Sequence, residues 1–528
     1  MKPQTLTQSM AWLHTWGGLI FGWLLFAIFL TGTLAVFDKE IGYWMQPERR
    51  AASVDQAQAA EVALTYLKEA APEARTWNIG LPSERSPGLQ VSSGEGRRGG
   101  GQVLDPASGE MLSPRETAGG NFFFRFHFTL NMPRNLGIWL VGLAAMAMLA
   151  TLISGIVIHK KFFKEFFTFR PGKGARSWLD AHNASAVLVL PFHLMITYTG
   201  LVIFYLIYMP AGVQALYQDD RQALFADMGF QQRGEARGEG RGRGEGGAEH
   251  APATAVLMLP IGHFIAAGEG HYGKGALGSL SISNPNRADA QVAVSPVLGN
   301  RIELTKGERM LFNGVTGELI QAPSPSRASV LTQRVMSGLH FAQFGGYPMR
   351  WLYFLCGLAS CAMIATGLVL FTVKRRRRQQ ELSPTTYRLI EALNVSCVAG
   401  LGLACVALLW ANRLIPAELA GRADWEVRVF FAVWLLSLPH ALWRAPLQAW
   451  REQLVAAAVL CVALPLLDAF GGSPWLDLLA GDGIRFWLDA GALGLGLALA
   501  GCAWRLSRSA GESRQRGPDT SAMAKVNP

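Results

Sequence analysis

Eight apolar stretches run through this 528-residue chain and limit what it can fold into. A helix that crosses the hydrocarbon core of a bilayer needs roughly 20 mostly apolar residues. The composition agrees with spans of this kind, because 50% of the residues are hydrophobic and only 16% are charged. We therefore predict an all-α polytopic membrane part whose eight spans lie near 11–37, 137–158, 183–208, 350–373, 391–412, 427–445, 453–470 and 484–505.

Lysine and arginine collect in two of the short connections between these stretches. They are Lys160, Lys161, Lys164, Arg170, Lys173 and Arg176 after the second stretch, and Lys374, Arg375, Arg376, Arg377 and Arg378 after the fourth. Basic residues near span ends stay on the cytoplasmic side, so we predict a bacterial inner-membrane protein with both termini in the cytoplasm. The long connections, 38–136 and 209–349, then face the periplasm. We attribute the net charge of +10 to the basic residues that set the orientation in the membrane, and we expect no nucleic-acid partner.

The membrane part has the pattern of an internal duplication. The spacing H-x16-TG occurs twice, from His14 to Thr31-Gly32 and from His182 to Thr199-Gly200. A histidine also stands ten residues before the second and the fourth apolar stretch, at His127 and His340. We therefore predict that His14 is equivalent to His182, and His127 to His340.

The two long connections resemble each other as well. Residues 103–112 read VLDPASGEML and residues 311–320 read LFNGVTGELI, each shaped like a strand, a turn and a second strand. We predict a small α+β module in each connection. The charged, Gly-rich segment 233–247 in the second connection cannot bury a core, and it is predicted to be disordered.

These patterns divide the chain into seven segments. They are span 1 at 1–37, the first periplasmic module at 38–136, spans 2 and 3 with a cytoplasmic loop at 137–208, the second periplasmic module at 209–349, span 4 and its basic end at 350–380, four accessory spans at 381–507, and a cytoplasmic tail at 508–528. The accessory spans have no counterpart in the repeat, and the sequence assigns them no role.

Histidines are the residues that point to chemistry, because ionisable side chains at membrane depth are costly and mark function by default. A b-type haem needs two neutral imidazoles that face each other from different helices. The duplication supplies such candidates in pairs, His14 with His182 and His127 with His340. Two sites stacked across the bilayer would form an electron path.

Two further histidines compete for the same role. His193 lies eleven residues after His182, which on a straight helix is close to three whole turns, so the two would share one face. In that case one helix carries ligands for two haems and the pairing is not the symmetric one. His159, at the inner end of the second span, is another candidate, and it is equally well explained as an interfacial side chain.

With its H-x16-TG motif, its D-P-x-x-G-E turn at 105–110 and its histidine-bearing segment before the second span, the chain resembles the PepSY-associated transmembrane family. The resemblance covers residues 7–380 and is greatest to the iron-regulated siderophore reductases of that family. It implies PepSY-like modules in the loops and two haem b groups, with ligands drawn from His14, His182, His127 and His340 or from His193 and His159. It also implies reduction of a ferric siderophore on the periplasmic face.

Three functions are compatible with these observations. The first is a ferric siderophore reductase, whose electron donor is expected to be a quinol or a partner protein. The G-x-G-x-x-G strings at 94–99, 242–247 and 268–273 lack the preceding strand and following helix that a nucleotide site requires. The second is a non-redox membrane protein whose modules regulate a periplasmic partner. The third is an iron-chelate permease, which ranks last because the sequence shows no sign of a broken helix at the bilayer midplane.

Overall fold

A computed structural model of the chain describes residues 5–49, 55–94, 101–159, 170, 172–218, 220, 222–224, 256–299, 301–323, 325–376, 383–470 and 481–515. The Gly-rich segment 233–247, most of the basic loop 160–173 and the end of the tail lie outside the described residues. The predictions made for those segments therefore stay predictions.

Helices make up most of the described chain. Numbered in chain order, they are α1 (Leu6–Ala35), α2 (Asp38–Trp44), α3 (Gln56–Ala70), α4 (Asn121–Thr129), α5 (Arg134–Ile158), α6 (Ala175–Leu188), α7 (Leu190–Ile203), α8 (Tyr205–Tyr208), α9 (Pro210–Tyr217), α10 (Ile261–Tyr272), α11 (Ala328–Phe341), α12 (Gly346–Arg376), α13 (Pro384–Val395), α14 (Leu401–Leu414), α15 (Arg422–Trp443), α16 (Pro446–Phe470) and α17 (Gly483–Gln515). A π-helical turn, Ser396–Gly400, joins α13 to α14.

Seven helical runs in the described chain are long and apolar enough to cross a membrane, and the bent pair α6–α7 makes an eighth span if it is counted as one. The prediction of a polytopic membrane protein is thus confirmed. The amphipathic pattern is weak in these helices because apolar residues surround them on all sides, as lipid contact requires. Leu435 and Leu436 on α15, for example, are both more than two-thirds exposed.

The third predicted span, 183–208, is not one straight helix. It is broken at Val189, and the axes of α6 and α7 differ by 64°. Pro191 stands at the start of α7, where its missing N–H costs nothing. The argument that His182 and His193 share one helix face was therefore wrong, and so was the expectation of an unbroken third span.

Both long connections contribute to one antiparallel sheet. Its strands are β1 (Thr76–Gly80), β2 (Leu89–Ser93), β3 (Gln102–Leu104), β4 (Met111–Leu112), β5 (Leu277–Ser283), β6 (Gln291–Pro296), β7 (Met310–Asn313) and β8 (Leu319–Gln321). Their spatial order is β4-β3-β2-β1-β5-β6-β7-β8, so the two halves meet where β1 pairs with β5. Each half is a four-stranded meander preceded by one helix, α3 or α10.

The sheet buries one face against α3 and α10. Along β1 the side chains alternate, so that Trp77 and Ile79 are buried while Asn78 lies on the other face. Trp77 and Ile79 join Phe264 of α10 in one apolar core. The two modules that the sequence suggested thus share a core and a sheet.

The last four helical runs hold the segments that lead from the membrane part into the first module and back. Trp44, at the end of α2, donates its indole N–H to Asp489 of α17 at 2.9 Å. Thr117, just before α4, donates to Glu426 at 2.7 Å, and Glu426 pairs with Arg422 at 2.6 Å with both side chains fully buried. A buried pair of this kind holds only if its remaining donors are satisfied, and Arg422 also donates to the Glu116 carbonyl. These contacts fix α2 and the approach to α4.

Candidate functional site: two facing histidine pairs

Four of the six candidate histidines meet in two pairs inside the helical bundle. The ring centres of His14 and His182 are 6.1 Å apart, and those of His127 and His340 are 6.0 Å apart. We name them the far pair (His14 and His182) and the sheet-side pair (His127 and His340). Each pair contains one histidine from each half of the apparent repeat, and the pairing is the symmetric one.

The two pairs lie at opposite ends of α1. His14 belongs to the first turns of α1, while His127 lies against the Ile28 carbonyl near its other end, where the chain continues into the sheet. Fourteen residues of α-helix rise by about 21 Å. The pairs are therefore set apart by most of a hydrocarbon core of about 30 Å.

Hydrogen bonds at Nδ1 orient all four rings. His14 donates to the Thr151 carbonyl at 2.9 Å, His182 to the Met363 carbonyl at 2.8 Å, and His127 to the Ile28 carbonyl at 2.8 Å. A carbonyl oxygen can only accept, so Nδ1 carries the proton and Nε2 keeps its lone pair. This is the arrangement in which an imidazole binds a metal through Nε2.

His340 also carries its proton on Nδ1, and its hydrogen-bond acceptor is a side-chain oxygen. Its Nδ1 lies 3.1 Å from Oγ1 of Thr199. The Thr199 hydroxyl already donates its proton to the Met195 carbonyl at 2.7 Å, so its oxygen is the acceptor for His340. Nε2 of His340 is thereby left as the acceptor nitrogen.

A glycine lies under each ring. A Cβ at Gly32 would stand 2.6 Å from Nδ1 of His127, and one at Gly200 would stand 3.0 Å from Cε1 of His340. A Cβ at Gly155 would stand 3.1 Å from Cε1 of His14. At the far pair, Gly367 does the same for His182, at 3.0 Å. Any side chain at these four positions would push the imidazole away from its partner.

Every one of these glycines follows a serine or threonine. The four dipeptides are Thr31-Gly32, Ser154-Gly155, Thr199-Gly200 and Thr366-Gly367. Sequence reasoning identified two of them through the H-x16-TG spacing and missed the other two. The signal was present, because ISGIVI at 153–158 and ATGLVL at 365–370 are similar segments at the ends of the second and fourth spans. Glycine is common in membrane helices, which hid the pattern.

The spacing of the rings suits a metal held between them. A metal–imidazole bond of about 2 Å on each side, with about 1 Å from each nitrogen to its ring centre, puts two axial imidazoles about 6 Å apart. Both observed separations, 6.1 and 6.0 Å, are close to that value. Among the described residues, no three His, Cys, Asp or Glu side chains are grouped to hold a metal ion. Two facing neutral imidazoles are the axial set of a b-type haem, so the residues fit that group.

The two remaining candidates lie outside these pairs. His193 is fully buried beside Phe29, with 5.9 Å between ring centres, and neither of its ring nitrogens has a hydrogen-bond partner among the described residues. His159 caps the end of α5, and its Nε2 is buried without a partner in the same part of the chain. The structure does not bring either of them face to face with another imidazole within the described ranges.

A large cavity opens beside the sheet-side pair. Its volume is about 1440 Å³, and both His127 and His340 line it. The inner wall is apolar and aromatic, and includes Phe29, Val141 and Met148. Sites for small molecules and cofactors occupy about 300–1,000 Å³, so this cavity has room for a porphyrin-sized group and more.

Comparison with known proteins finds a family whose sequence pattern covers the part of the chain that holds both histidine pairs and the sheet. The family model described as the PepSY-associated TM region matches residues 11–374, which include both histidine pairs and the whole sheet. An uncharacterized protein of Pseudomonas aeruginosa is 24% identical over 349 residues, which are 64% of this chain and 83% of that protein. Since the family model covers well over half of the chain, this protein belongs to the PepSY-associated transmembrane family.

Proposed function

We propose that this protein is a haem-dependent ferric siderophore reductase of the bacterial inner membrane, of the kind represented by FoxB, which the sequence resembles. It accepts electrons from a quinol or another donor and reduces the Fe(III) of a siderophore to Fe(II) in the periplasm. The basic loops that follow the second and fourth spans support an orientation with the sheet in the periplasm and both termini in the cytoplasm.

One observation carries the proposal. Two pairs of facing imidazoles, each with Nδ1 hydrogen-bonded and each cradled by glycine, stand at the two ends of the bundle. A packing role for histidine requires neither a partner imidazole at 6 Å nor a vacant Cβ position under the ring. Buried polar groups normally use their hydrogen-bonding capacity, and here the Nε2 atoms are left for a ligand.

In this proposal His14 and His182 hold one haem b, and His127 and His340 hold the other. A bound haem supplies a site that takes up and gives up one electron at a time. The chain's own residues fix the two axial nitrogens, exclude water with the apolar walls of the bundle and keep each imidazole in its Nδ1–H tautomer. His193 and His159 are competing ligands, and the geometry favours the symmetric pairs over them.

The reaction balances with one electron for each iron. Reduction converts the Fe(III) chelate to an Fe(II) chelate, and two such turnovers consume the electron pair of one quinol, which leaves as quinone and two protons. Siderophores hold Fe(III) through hard oxygen donors, and Fe(II) is softer and less charged, so they hold it less tightly. Reduction on the periplasmic side would therefore release the iron there.

The symmetric sheet supports the further proposal that the first and second halves descend from one duplicated unit with a PepSY-like module. Each half contributes one helix and a four-stranded meander to the sheet module. Each half also supplies one histidine to the far pair and a different one to the sheet-side pair. The Asp105 turn and the Asn313 turn are built alike. In each, the side-chain oxygen accepts backbone N–H groups two and three residues ahead.

The test is spectroscopic. Protein purified after expression with ample haem is expected to show a b-type difference spectrum and a haem-to-protein ratio close to two. Addition of a ferric siderophore to the reduced protein is expected to reoxidise it, with Fe(II) trapped by a chromogenic chelator. Colourless protein, or a spectrum that a ferric siderophore leaves unchanged, would overturn the proposal.

The break in the third span favours a second candidate, an iron-chelate permease. Transporters place their substrate sites at interrupted helices near the midplane, and the 64° bend at Val189 is such an interruption. A permease would carry an intact chelate into vesicles in the absence of any reductant. The reductase proposal predicts no such uptake.

A further inference from the structure

The mouth of the cavity beside the sheet-side pair carries an excess of positive charge. The cations that line the cavity are Lys39, Arg134, Lys306, Arg327 and Arg334, and Asp38 is the acidic residue among its lining residues. Five cations and one carboxylate give a formal charge of +4. The whole chain has 48 basic and 38 acidic residues, so chance would supply a far more even mixture.

The lining carboxylate does little to offset these cations. Asp38 accepts a hydrogen bond from Arg85 at 3.2 Å, and Arg85 also binds Glu40 at 2.7 Å. Asp38 is therefore already paired with an arginine outside the lining. Arg334 approaches Glu308 only at 4.0 Å, the outer limit of an ion pair.

One of the cations, Lys39, is held where a charge is costly. Lys39 is largely buried, and this burial lowers its pKa, with the guanidinium of Arg85 acting in the same direction. Arg334 is half-buried on α11, six residues before His340 on the same helix. A negative ligand in the cavity would relieve this cost at Lys39, since an opposite charge within about 4–6 Å favours the charged form.

Haem propionates would not use up this charge. Arg327 has an interaction partner of its own and is not counted here. A haem held by His127 and His340 would bring two carboxylates, which together with Asp38 leave one of the other four cations unmatched. The cavity is also larger than the 300–1,000 Å³ that a cofactor or small-molecule site usually occupies. Charge and space both remain for a second, negatively charged ligand.

We propose that this cavity is the substrate site, and that it selects iron chelates with a net negative charge, such as catecholate complexes, over neutral or cationic hydroxamate complexes. The inference rests on the proposed reductase function for the identity of the ligand as an iron chelate. The apolar inner wall takes the organic body of the chelate and the cationic rim takes its charge. The bound chelate then lies against the sheet-side pair.

Gallium complexes test binding without any redox step. The full-length protein in detergent is titrated with the anionic Ga(III) tris(catecholate) complex and with a neutral Ga(III) tris(hydroxamate) complex, and the dissociation constants are measured by calorimetry. The anionic complex is expected to bind at least tenfold more tightly, and its affinity is expected to fall with added salt because the rim is exposed. Equal affinity for the two complexes would overturn the proposal.

Substitution of Lys306 locates the site. Lys306 is exposed at the rim, so Lys306→Gln and Lys306→Glu leave the fold undisturbed. Lys306→Gln is expected to weaken the anionic complex about two- to fivefold, and Lys306→Glu to weaken it further. Lys274 is an equally exposed lysine in the same module that does not line the cavity. Lys274→Gln is the matched control, and it is expected to leave both affinities unchanged.

The outcomes separate this inference from the proposed function. The haem spectrum of each variant is recorded beside its affinity. If the rim variants lose haem and keep the anionic complex, the cations serve the propionates and the inference is wrong. If vesicles of anionic lipid compete fully with the gallium complex, the rim binds lipid headgroups and the inference is again wrong. Colourless protein that still selects the anionic complex would overturn the reductase proposal and leave the selectivity standing.

Discussion

The far pair and the sheet-side pair are built alike and sit in different surroundings. In both, a histidine of one half faces a histidine of the other at about 6 Å, with glycine under each ring. The far pair lies between α1, α5, α6 and α12, and the Arg375 guanidinium stacks on Phe371 at that end of the bundle. The sheet-side pair borders a cavity of about 1440 Å³ with charged residues at its mouth.

This difference separates two tasks that a single site would have to combine. One pair can take up electrons from a donor. The pair beside the cavity can also meet a second molecule. In the proposed reductase the far pair therefore receives electrons, and the sheet-side pair is where the iron chelate is reduced.

The largest expected effect comes from removing one pair at a time. His14→Ala with His182→Ala is expected to lower the haem content by about half, because both proposed axial ligands of one haem are lost. Quinol-driven reduction of the chelate should fall to background, while dithionite, which can reach the sheet-side pair through its cavity, should still drive it. The protein is assayed for haem by pyridine haemochrome and for Fe(II) with a chromogenic chelator.

The sheet-side double variant sharpens the same contrast. His127→Ala with His340→Ala should also halve the haem content, and it should abolish chelate reduction with either reductant. His263, an exposed histidine on α10, provides the control variant His263→Ala, which should keep full haem. Loss of all haem from one double variant alone would show that the two pairs are not independent sites.

The next effect tests the glycine cradles. Gly32→Ala places a Cβ 2.6 Å from His127, and overpacking of this kind costs about 1–3 kcal/mol. We expect it to displace the His127 ring and release the sheet-side haem. Gly155→Ala, with 3.1 Å to His14, should perturb the far site less.

A helical glycine in open surroundings provides the control for this test. It shows whether alanine acts by crowding the histidine ring or by a general effect on the helix. In the described part of the chain, a Cβ at Gly402 on α14 would meet no heavy atom within 4 Å. Gly402→Ala should leave the spectrum intact and raise the melting temperature slightly, since alanine is the better helix former. An equal spectral change in Gly402→Ala and Gly32→Ala would contradict the claim that crowding of His127 at position 32 causes the loss of haem.

Much of this site was predictable because the same spacing of histidine and Thr-Gly occurs twice in the chain, and a repeated spacing is stronger evidence than a single one. His14 and His182 share a spacing to a Thr-Gly pair, and this spacing made them equivalent candidates, while His193 and His159 stayed open as alternatives. The structure brings His14 and His182 together. Membrane spans were predictable for a simpler reason, since hydropathy decides whether a segment enters lipid. By contrast, the shared sheet was not foreseen, because the pairing of β1 with β5 joins residues about 200 positions apart.

Other features depended on tertiary structure that the sequence does not display. The break at Val189 was missed because proline is tolerated in membrane helices when neighbours satisfy the freed backbone groups. The cationic rim collects Lys39, Arg134, Lys306 and Arg334 from distant parts of the chain. No local pattern marks these residues as a group.

A smaller effect is expected from the hydroxyl that orients His340. Thr199→Val removes the acceptor for Nδ1, and loss of such a partner typically costs 10–100-fold in metal affinity. We expect weaker haem retention at the sheet-side site and a shifted reduction potential. Thr31, its counterpart in the first half, donates to the Ala27 and Ile28 carbonyls. His127 uses the Ile28 carbonyl in place of the Thr31 hydroxyl. Thr31→Val should therefore have little effect on the spectrum.

The smallest effect is a pH dependence of ligand binding in the cavity beside the sheet-side pair. Burial lowers the pKa of Lys39 from its ordinary value of 10.5, and the nearby Arg85 guanidinium adds to the shift. As pH rises, Lys39 therefore loses its charge before an exposed lysine does, and the cavity rim loses one positive charge. The affinity for the anionic gallium complex should fall about two- to fivefold over that step, beginning below pH 10.5. Lys39→Arg keeps its charge at every pH in the range and should remove the step, so a step that persists in Lys39→Arg would assign the titration to another group.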